Sequence, residues 1–251
     1  MDPLAEKYKS HSSYAYVLNN PIKSIDINGD SLKTKGSNTA TSTFKDSEET
    51  GMGGSITMDQ SNSGQWTMSG ETGGMAEYMS DEQMATYDNL NEIISDPKTS
   101  SFQLVDGNDP LSQKVAFGDN GQATDANGSK TDPNTGQPYA AVPGVHVIDV
   151  GDAQALGSTG LETSQGMIGH ELREGYDIQV KGMNPNDAHK DALKTEGEIN
   201  GTTRLQRGPE LDPARASIKM QVFDGTNVHT VSIKLNGTNN WNFSAKDVTG
   251  N

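Results

Sequence analysis

The stretch GMIGHELREGYD, residues 166–177, contains the residues of this chain whose types and spacing best fit chemistry. His170 is followed at once by Glu171, as in the H-E-x-x-H helix of zinc peptidases, and Glu174 stands where that pattern has its second histidine. One helical turn separates His170 from Glu174, so both side chains can converge on one cation. Zinc accepts histidine nitrogen and carboxylate oxygen, and Glu171 is placed to act as general base. The stretch predicts a zinc site with a variant H-E-x-x-E motif.

A second helix, predicted over roughly 187–206, supplies the third ligand. If the two helices form an antiparallel pair that turns near Met183, residues equally far from the turn lie level with each other. His170 is then level with Glu196, which is the predicted third ligand.

Two other residues of the second helix are alternatives to Glu196. His189 lies about 10 Å further along, at 1.5 Å per residue, so it replaces Glu196 only if the connection is longer or the helices cross steeply. Glu198 follows Glu174 at a spacing that zinc peptidases with a glutamate third ligand also use. The sequence leaves the choice among these residues open.

The same residues also fit two functions without metal. A nuclease or another metal-free active site could use the His/Glu/Arg set, with Arg204 stabilising an anion. The acids could instead form structural ion pairs in a non-catalytic binding module. The net charge of −15 repels phosphate backbones, so a nucleic-acid partner is not expected.

The elements around these residues predict an α+β fold. Residues 80–94 combine a Ser80 cap with helical spacing, short strands follow near 101–118 and 144–150, and Thr163 can cap the motif helix. A hairpin with its turn at Asp224-Gly225 ends the chain. We therefore expect a small, mostly antiparallel sheet with a helix pair that carries the site. The acidic interval between Asp119 and Gly136 is interpreted as a solvated insertion, with calcium binding as the alternative.

The composition divides the chain and excludes several classes. Residues 31–79 are rich in Ser, Thr, Gly and Met and are predicted to be a flexible, disordered linker before a C-terminal domain at 80–251. The absence of cysteine excludes disulfides and thiolate metal sites. No run of residues reaches the ~18 apolar residues of a membrane span.

The first 30 residues contain three motifs in a fixed order. They are DPLAEKY, then YAYVLNNPI, then IDINGD, and together they match the pattern D-P-x-x-x-x-Y, Y-x-Y-x-x-N-N-P and a final D-x-x-G. This segment closely resembles the C-terminal end of an Rhs repeat-associated core. The resemblance implies that residues 1–30 end such a core and that a variable toxin domain follows.

The Rhs resemblance also implies a setting and partners. The chain would be the C-terminal part of a larger polymorphic toxin that is secreted or delivered to a target cell in interbacterial competition. A cognate immunity protein would be its partner. Within the toxin region, the strand at Val145–Val150, the glycine-rich turn and GHEL resemble zincin-type effector metallopeptidases. That resemblance implies a bound Zn2+ and a protein substrate in the target cell.

Overall fold

The computed structural model describes residues 32–70, 79–112, 117–119, 145–205, 210–212, 217–235 and 243–248. The Rhs-like segment at 1–30 and most of the acidic interval at 119–136 lie outside the described residues. The helices of this part of the chain are α1 (Asn38–Gly51), α2 (Asp81–Ser95), α3 (Val150–Gly157), α4 (Ser164–Gln179) and α5 (Pro185–Asn200). The strands are β1 (Leu32–Lys35), β2 (Ile56–Gln60), β3 (Trp66–Gly70), β4 (Ser100–Val105), β5 (Gly118–Asp119), β6 (His146–Asp149), β7 (Thr203–Arg204), β8 (Glu210–Asp212), β9 (Ser217–Phe223), β10 (Val228–Leu235) and β11 (Phe243–Asp247).

The strands form three sheets, and the α+β prediction is confirmed. A four-stranded sheet has the order β1-β4-β6-β5, a five-stranded antiparallel sheet has the order β11-β10-β9-β7 with β8 also on β9, and β2 pairs with β3. Most strand pairs are antiparallel, as predicted, but β1–β4 and β4–β6 are parallel. The parallel pairs were not predicted because a long connection joins their strands, so no local turn signal marks the pairing.

The prediction that residues 31–79 form a disordered linker is wrong for the described residues 32–70. Ser37 caps α1, and Phe44 and Trp66 are buried with their ring centroids 5.2 Å apart. Their buried side chains belong to the same core as those of α2 and α4. The domain boundary predicted at residue 80 therefore does not divide this core.

Hydrogen bonds explain why the Ser- and Thr-rich composition was misleading here. The indole nitrogen of Trp66 donates to the Thr34 hydroxyl at 2.8 Å, and Gln60 donates to the same hydroxyl at 2.8 Å. A small polar side chain that is satisfied in this way can be buried at little cost. The alternating burial of Ile56, Met58 and the outward residues between them then supplies a strand pattern.

The helix ends follow the predicted local signals. Ser80 and Gln83 form a capping box at α2, and the Thr163 hydroxyl accepts from the backbone N–H of Gly166 at α4.

The predicted range of 187–206 for the second helix was wrong at its C-terminal end: α5 begins after the N-cap Asn184 and stops at Asn200, because Gly201 adopts the left-handed region at φ 64°. Arg204 therefore lies in β7 and not in the helix. Helix α3 was not predicted, because the apolar run before it reads as one continuous strand.

Helix α4 is buried on nearly all sides. It packs against α5, α2, α1 and α3, and against strands β4 and β6. Gly169 allows the close approach of α5, since a Cβ there would lie 2.5 Å from the Ile199 side chain. This packing places several ionisable side chains of α4 in the interior, where each needs a partner.

Candidate metal centre

Three side chains from the two packed helices α4 and α5 converge on one point. His170 and Glu174 project from α4 and His189 from α5, and each offers one ligand atom within 4.8 Å of the others. The Glu174 carboxylate lies 3.5 Å from His170 Nε2 and 2.9 Å from His189 Nδ1. Among the described residues, this is the group whose geometry can hold a metal ion.

The donor set fits zinc. Ligand atoms about 2.0–2.1 Å from a tetrahedral zinc lie roughly 3.3 Å apart, close to the two distances from Glu174. Two histidines and one carboxylate match the three-ligand set of catalytic zinc sites, which leave a fourth position for water or substrate. His170 and Glu174 are buried, whereas the His189 side chain is 31% exposed and opens the site to solvent.

Glu196 meets His170 from the other edge of the imidazole ring. Its Oε2 lies 2.6 Å from His170 Nδ1, and its Oε1 forms an ion pair with Arg204. Both side chains of the Glu196–Arg204 pair are buried. The prediction that His170 and Glu196 lie opposite each other in the helix pair is therefore confirmed. Glu196 is nevertheless not a member of the group that can share one ion.

The carboxylates around His170 determine its charge. Burial alone would lower the pKa of His170, but the hydrogen bonds that its ring donates to Glu174 and Glu196, together with the charges of Glu196 and Glu171, raise it to about 10. In turn, Arg204 and His170 lower the pKa of Glu196 although that carboxyl is fully buried. Without a bound cation, the centre is held together by an imidazolium between two carboxylates.

Glu162 adds a second buried carboxyl beside Glu196. Burial and the Glu196 charge raise its pKa to about 8, against the opposing effects of Arg204 and His170. Asn200 donates a hydrogen bond to it from α5. Glu162 therefore carries a proton near neutral pH and can hydrogen-bond the ionised Glu196.

Glu171, the predicted general base, lies on a different side of α4 from His170 and Glu174. Its Oε2 is 3.5 Å from Nε2 of His146 on β6, and its carboxylate lies directly against Gly118 of β5. Successive residues of a helix are 100° apart, so adjacency in sequence separates the directions of His170 and Glu171. The electrostatic influence of Glu171 still reaches His170 and contributes to its raised pKa.

The alternation of His146 with Val145 and Val147 along the strand predicts that His146 faces away from the core, and this prediction is wrong. The side chain is 3% exposed, and every residue of β6 is buried. A strand inside a sheet whose faces are both covered by other elements buries both of its alternating sets of side chains. The rings of His146 and Phe102 form an edge-to-face contact, with centroids 5.2 Å apart.

The structure brings His189 to the centre in place of Glu196. Distance along the α5 axis was a poor guide, because the imidazole of His170 presents nitrogens on two edges. Nδ1 contacts Glu196, and Nε2 faces Glu174, which also contacts His189. His189, which helix geometry ranked after Glu196, is therefore the residue that converges with His170 and Glu174.

The remaining predicted residues lie elsewhere. The Glu198 side chain is 54% exposed and pairs with Lys194 at 3.3 Å, so it lies apart from the three ligands. A further histidine, His229 of β10, pairs with Asp224 at 2.8 Å and with Asp247 of β11 at 3.1 Å, and it is not in the convergent group. The residues of the acidic interval proposed for calcium fall almost entirely outside the described residues.

Sequence reasoning missed the roles of Arg204 and Glu162 around Glu196. Arg204 was interpreted as a possible anion stabiliser, whereas its side chain is 5% exposed and neutralises Glu196. Glu162 precedes the cap of α4 and had no pattern that marked it as buried. Both contacts depend on where β7 and the α3–α4 connection pack, and no local sequence signal reports that.

Comparison with known proteins adds no relative. No protein-family model, no curated protein and no solved structure matches the chain. In the described residues, no helix is both long enough and apolar enough to cross a membrane.

Proposed function

We propose that this protein is a zinc-dependent hydrolase whose metal is held by His170, Glu174 and His189. The observation that carries the proposal is the convergence of two imidazoles and one carboxylate from α4 and α5. When bound, zinc would supply a Lewis acid and a lowered water pKa. Zinc ligation requires the neutral imidazole, so the proton of His170 Nε2 leaves on binding.

Glu171 is the proposed general base. It directly follows a ligand in sequence, and its charge acts on His170. In the structure its carboxylate faces His146, so a base role requires it to turn towards the metal. Glu171→Gln should then retain zinc and lose hydrolysis, whereas loss of zinc would instead assign Glu171 a structural role.

The biological role we propose is that of an Rhs-type toxin region. The support is the motif set at 1–30, which resembles the end of an Rhs core, together with a hydrolase-like centre downstream. On this proposal the chain is secreted or delivered to a target cell, cleaves a protein substrate there and is neutralised by a cognate immunity protein. The likeness to zincin-type effector metallopeptidases supports peptide bonds as the substrate.

Metal content tests the zinc centre directly. The full chain, purified without chelators, should contain about one zinc ion per molecule by mass spectrometry of the metal. Glu174→Gln and His189→Ala should each lower that content, because each removes one of three ligands. His229→Ala is the matched control, since His229 pairs with aspartates on a separate hairpin. Wild-type protein that binds no zinc at micromolar concentration would overturn the proposal.

Toxicity tests whether the centre is catalytic. Expression of the wild-type chain inside a bacterial host should arrest growth, and Glu174→Gln should relieve the arrest at equal protein level. Comparison of newly formed peptide N-termini in the two cultures would then identify cleaved proteins. Growth arrest that is equal for both variants would contradict a zinc-dependent toxic activity.

One observation favours a metal-independent function. His170 lies between Glu174 and Glu196 as a satisfied imidazolium, which is a stable arrangement without any cation. A metal-free toxin or a non-catalytic binding module would be consistent with it. Toxicity that persists in Glu174→Gln, or activity in extracts that survives EDTA, would favour this second candidate.

A further inference from the structure

We infer that Glu196 positions His170 for the metal without binding it, and that Arg204 holds Glu196 in that place. This inference rests on the proposed zinc centre. The two ring nitrogens of His170 each face a different carboxylate. Glu196 contacts Nδ1 at 2.6 Å, and Glu174 faces Nε2 at 3.5 Å.

The contact at Nδ1 decides which nitrogen of His170 is available. A neutral imidazole carries one N–H, and the other nitrogen has the lone pair that binds metal. When Nδ1–H donates to Glu196, the lone pair of Nε2 faces Glu174 and His189. Carboxylates that orient a ligating histidine in this way also increase its basicity.

Arg204 holds Glu196 from the side opposite His170. The Arg204 guanidinium forms an ion pair with the second oxygen of the Glu196 carboxylate. The side chains of Glu196 and Arg204 are 1% and 5% exposed, so water cannot replace these contacts. A carboxylate fixed on both oxygens cannot rotate to join the metal group without leaving Arg204 unpaired.

Arg204 also connects the centre to the C-terminal sheet. It lies in β7, where it pairs with Val222 of β9, and β9 pairs along its length with β10. The order of contacts is therefore sheet, Arg204, Glu196, His170 and metal. Zinc affinity should depend on this chain of contacts, although none of its members except His170 is a ligand.

Zinc affinity and the tautomer of His170 test the inference together. Glu196→Ala in the full chain should weaken zinc binding about 10- to 100-fold in competition with a chromophoric chelator. In the zinc-loaded wild type, 15N-histidine NMR should show a protonated Nδ1 and a metal-bound Nε2 for His170. This signature should be lost in Glu196→Ala. Glu198→Ala, on the exposed side of the same helix, should change neither measurement.

A double variant separates positioning from folding. Glu196→Ala leaves Arg204 buried without its partner and can unfold the protein, whereas Glu196→Ala/Arg204→Met removes both charges. The double variant should fold by circular dichroism and still bind zinc weakly. If the wild type binds no zinc, the proposed function fails and the inference fails with it. If the wild type binds zinc and folded variants without Glu196 keep its affinity and tautomer, only the inference is overturned.

Discussion

Two buried histidines lie on different sides of α4, and their surroundings differ sharply. His170 and His146 are each 3% exposed. His170 meets carboxylates at both ring nitrogens, and His189 lies beside it with ring centroids 4.9 Å apart. His146 has one carboxylate, Glu171, at 3.5 Å, and neither of its nitrogens makes a hydrogen bond to the described residues.

This difference shows what distinguishes the proposed metal centre at His170 from the buried His146–Glu171 pair. Burial and a nearby glutamate are common to both histidines. The side of His170 adds a third convergent ligand and an outer carboxylate that is itself held by an arginine. The His146–Glu171 pair is instead surrounded by the Phe102 ring, Gly118 and Gly175, none of which can bind a metal through its side chain. Convergence of donors, and not burial, therefore distinguishes the proposed metal centre.

The largest expected effect comes from removing His170, with the removal of His146 as the matched comparison. His170→Ala should weaken zinc binding more than about 100-fold, beyond the usual effect of losing an outer contact. His146→Ala should keep stoichiometric zinc, because His146 is not in the convergent group. Metal analysis after gel filtration measures both. Equal zinc loss in the two variants would contradict the separation of the two sides of α4.

A glycine substitution should damage the His146 side alone. A Cβ at Gly175 would collide with the Phe102 ring and lie 2.8 Å from His146 Nδ1. Gly175→Ala should therefore lower the free energy of unfolding by about 1–3 kcal/mol, the usual cost of overpacking. Urea denaturation measures this loss, and zinc affinity should be retained at low urea.

Gly107→Ala is the control for Gly175→Ala. A Cβ at Gly107 meets no atom within 4 Å, so its stability should stay near that of the wild type. A Gly175→Ala variant as stable as Gly107→Ala would show that the His146 side is more loosely packed than the structure indicates.

Glu48 extends the comparison to a buried acid without a hydrogen bond to the described residues. Burial raises its pKa well above the ordinary value. The folded state therefore holds a proton that the unfolded state releases, and stability falls as pH rises above about 4.5. Glu48→Gln removes this penalty, so it should stabilise the protein by about 1–3 kcal/mol at pH 8 and by less at pH 5.

Chemical denaturation at the two pH values measures the effect of Glu48→Gln. Asp46→Asn, an exposed substitution in the same helix, should show no comparable gain at pH 8. A gain that is equal at pH 5 and pH 8 would indicate that Glu48 is not the titrating group.

The smallest effect is expected at His229, which is paired with two aspartates but lies at the surface. Hydrogen bonds to Asp224 and Asp247 raise the pKa of His229. A raised histidine pKa stabilises the fold fully below about pH 6.5 and loses that effect as pH rises through the folded value. His229→Ala should therefore lower the melting temperature slightly at pH 5.5 and not at pH 9. Differential scanning fluorimetry should detect this pattern, and zinc content should be unchanged.

Local sequence signals predicted the elements that carry the centre. Thr163 caps α4 as its side chain indicates, and Asp224-Gly225 forms the turn between β9 and β10. Helix geometry and one short connection explain why His170 lies one turn from Glu174 and opposite Glu196. These features depend on a few neighbouring residues or on a regular period, so they can be derived without the tertiary structure.

The prediction of a linker before residue 80 failed because the structure of this segment depends on contacts between residues far apart in the chain. Thr34, Gln60 and Trp66 are distant in sequence from α2 and α4, but their segment contributes to the same core. Composition measures how much apolar surface a segment has. It does not report whether the remaining polar groups find partners when the segment packs.

The sequence by itself determined which residues share a helical face and which types could bind zinc. The tertiary structure alone decided that Glu171 faces His146, that His189 completes the convergent group and that Arg204 neutralises Glu196. A helix specifies the angles between its own side chains, about 100° per residue. The packing of α4 against β6 and α5 decides which residue each of these side chains contacts, and that packing depends on residues far apart in the chain.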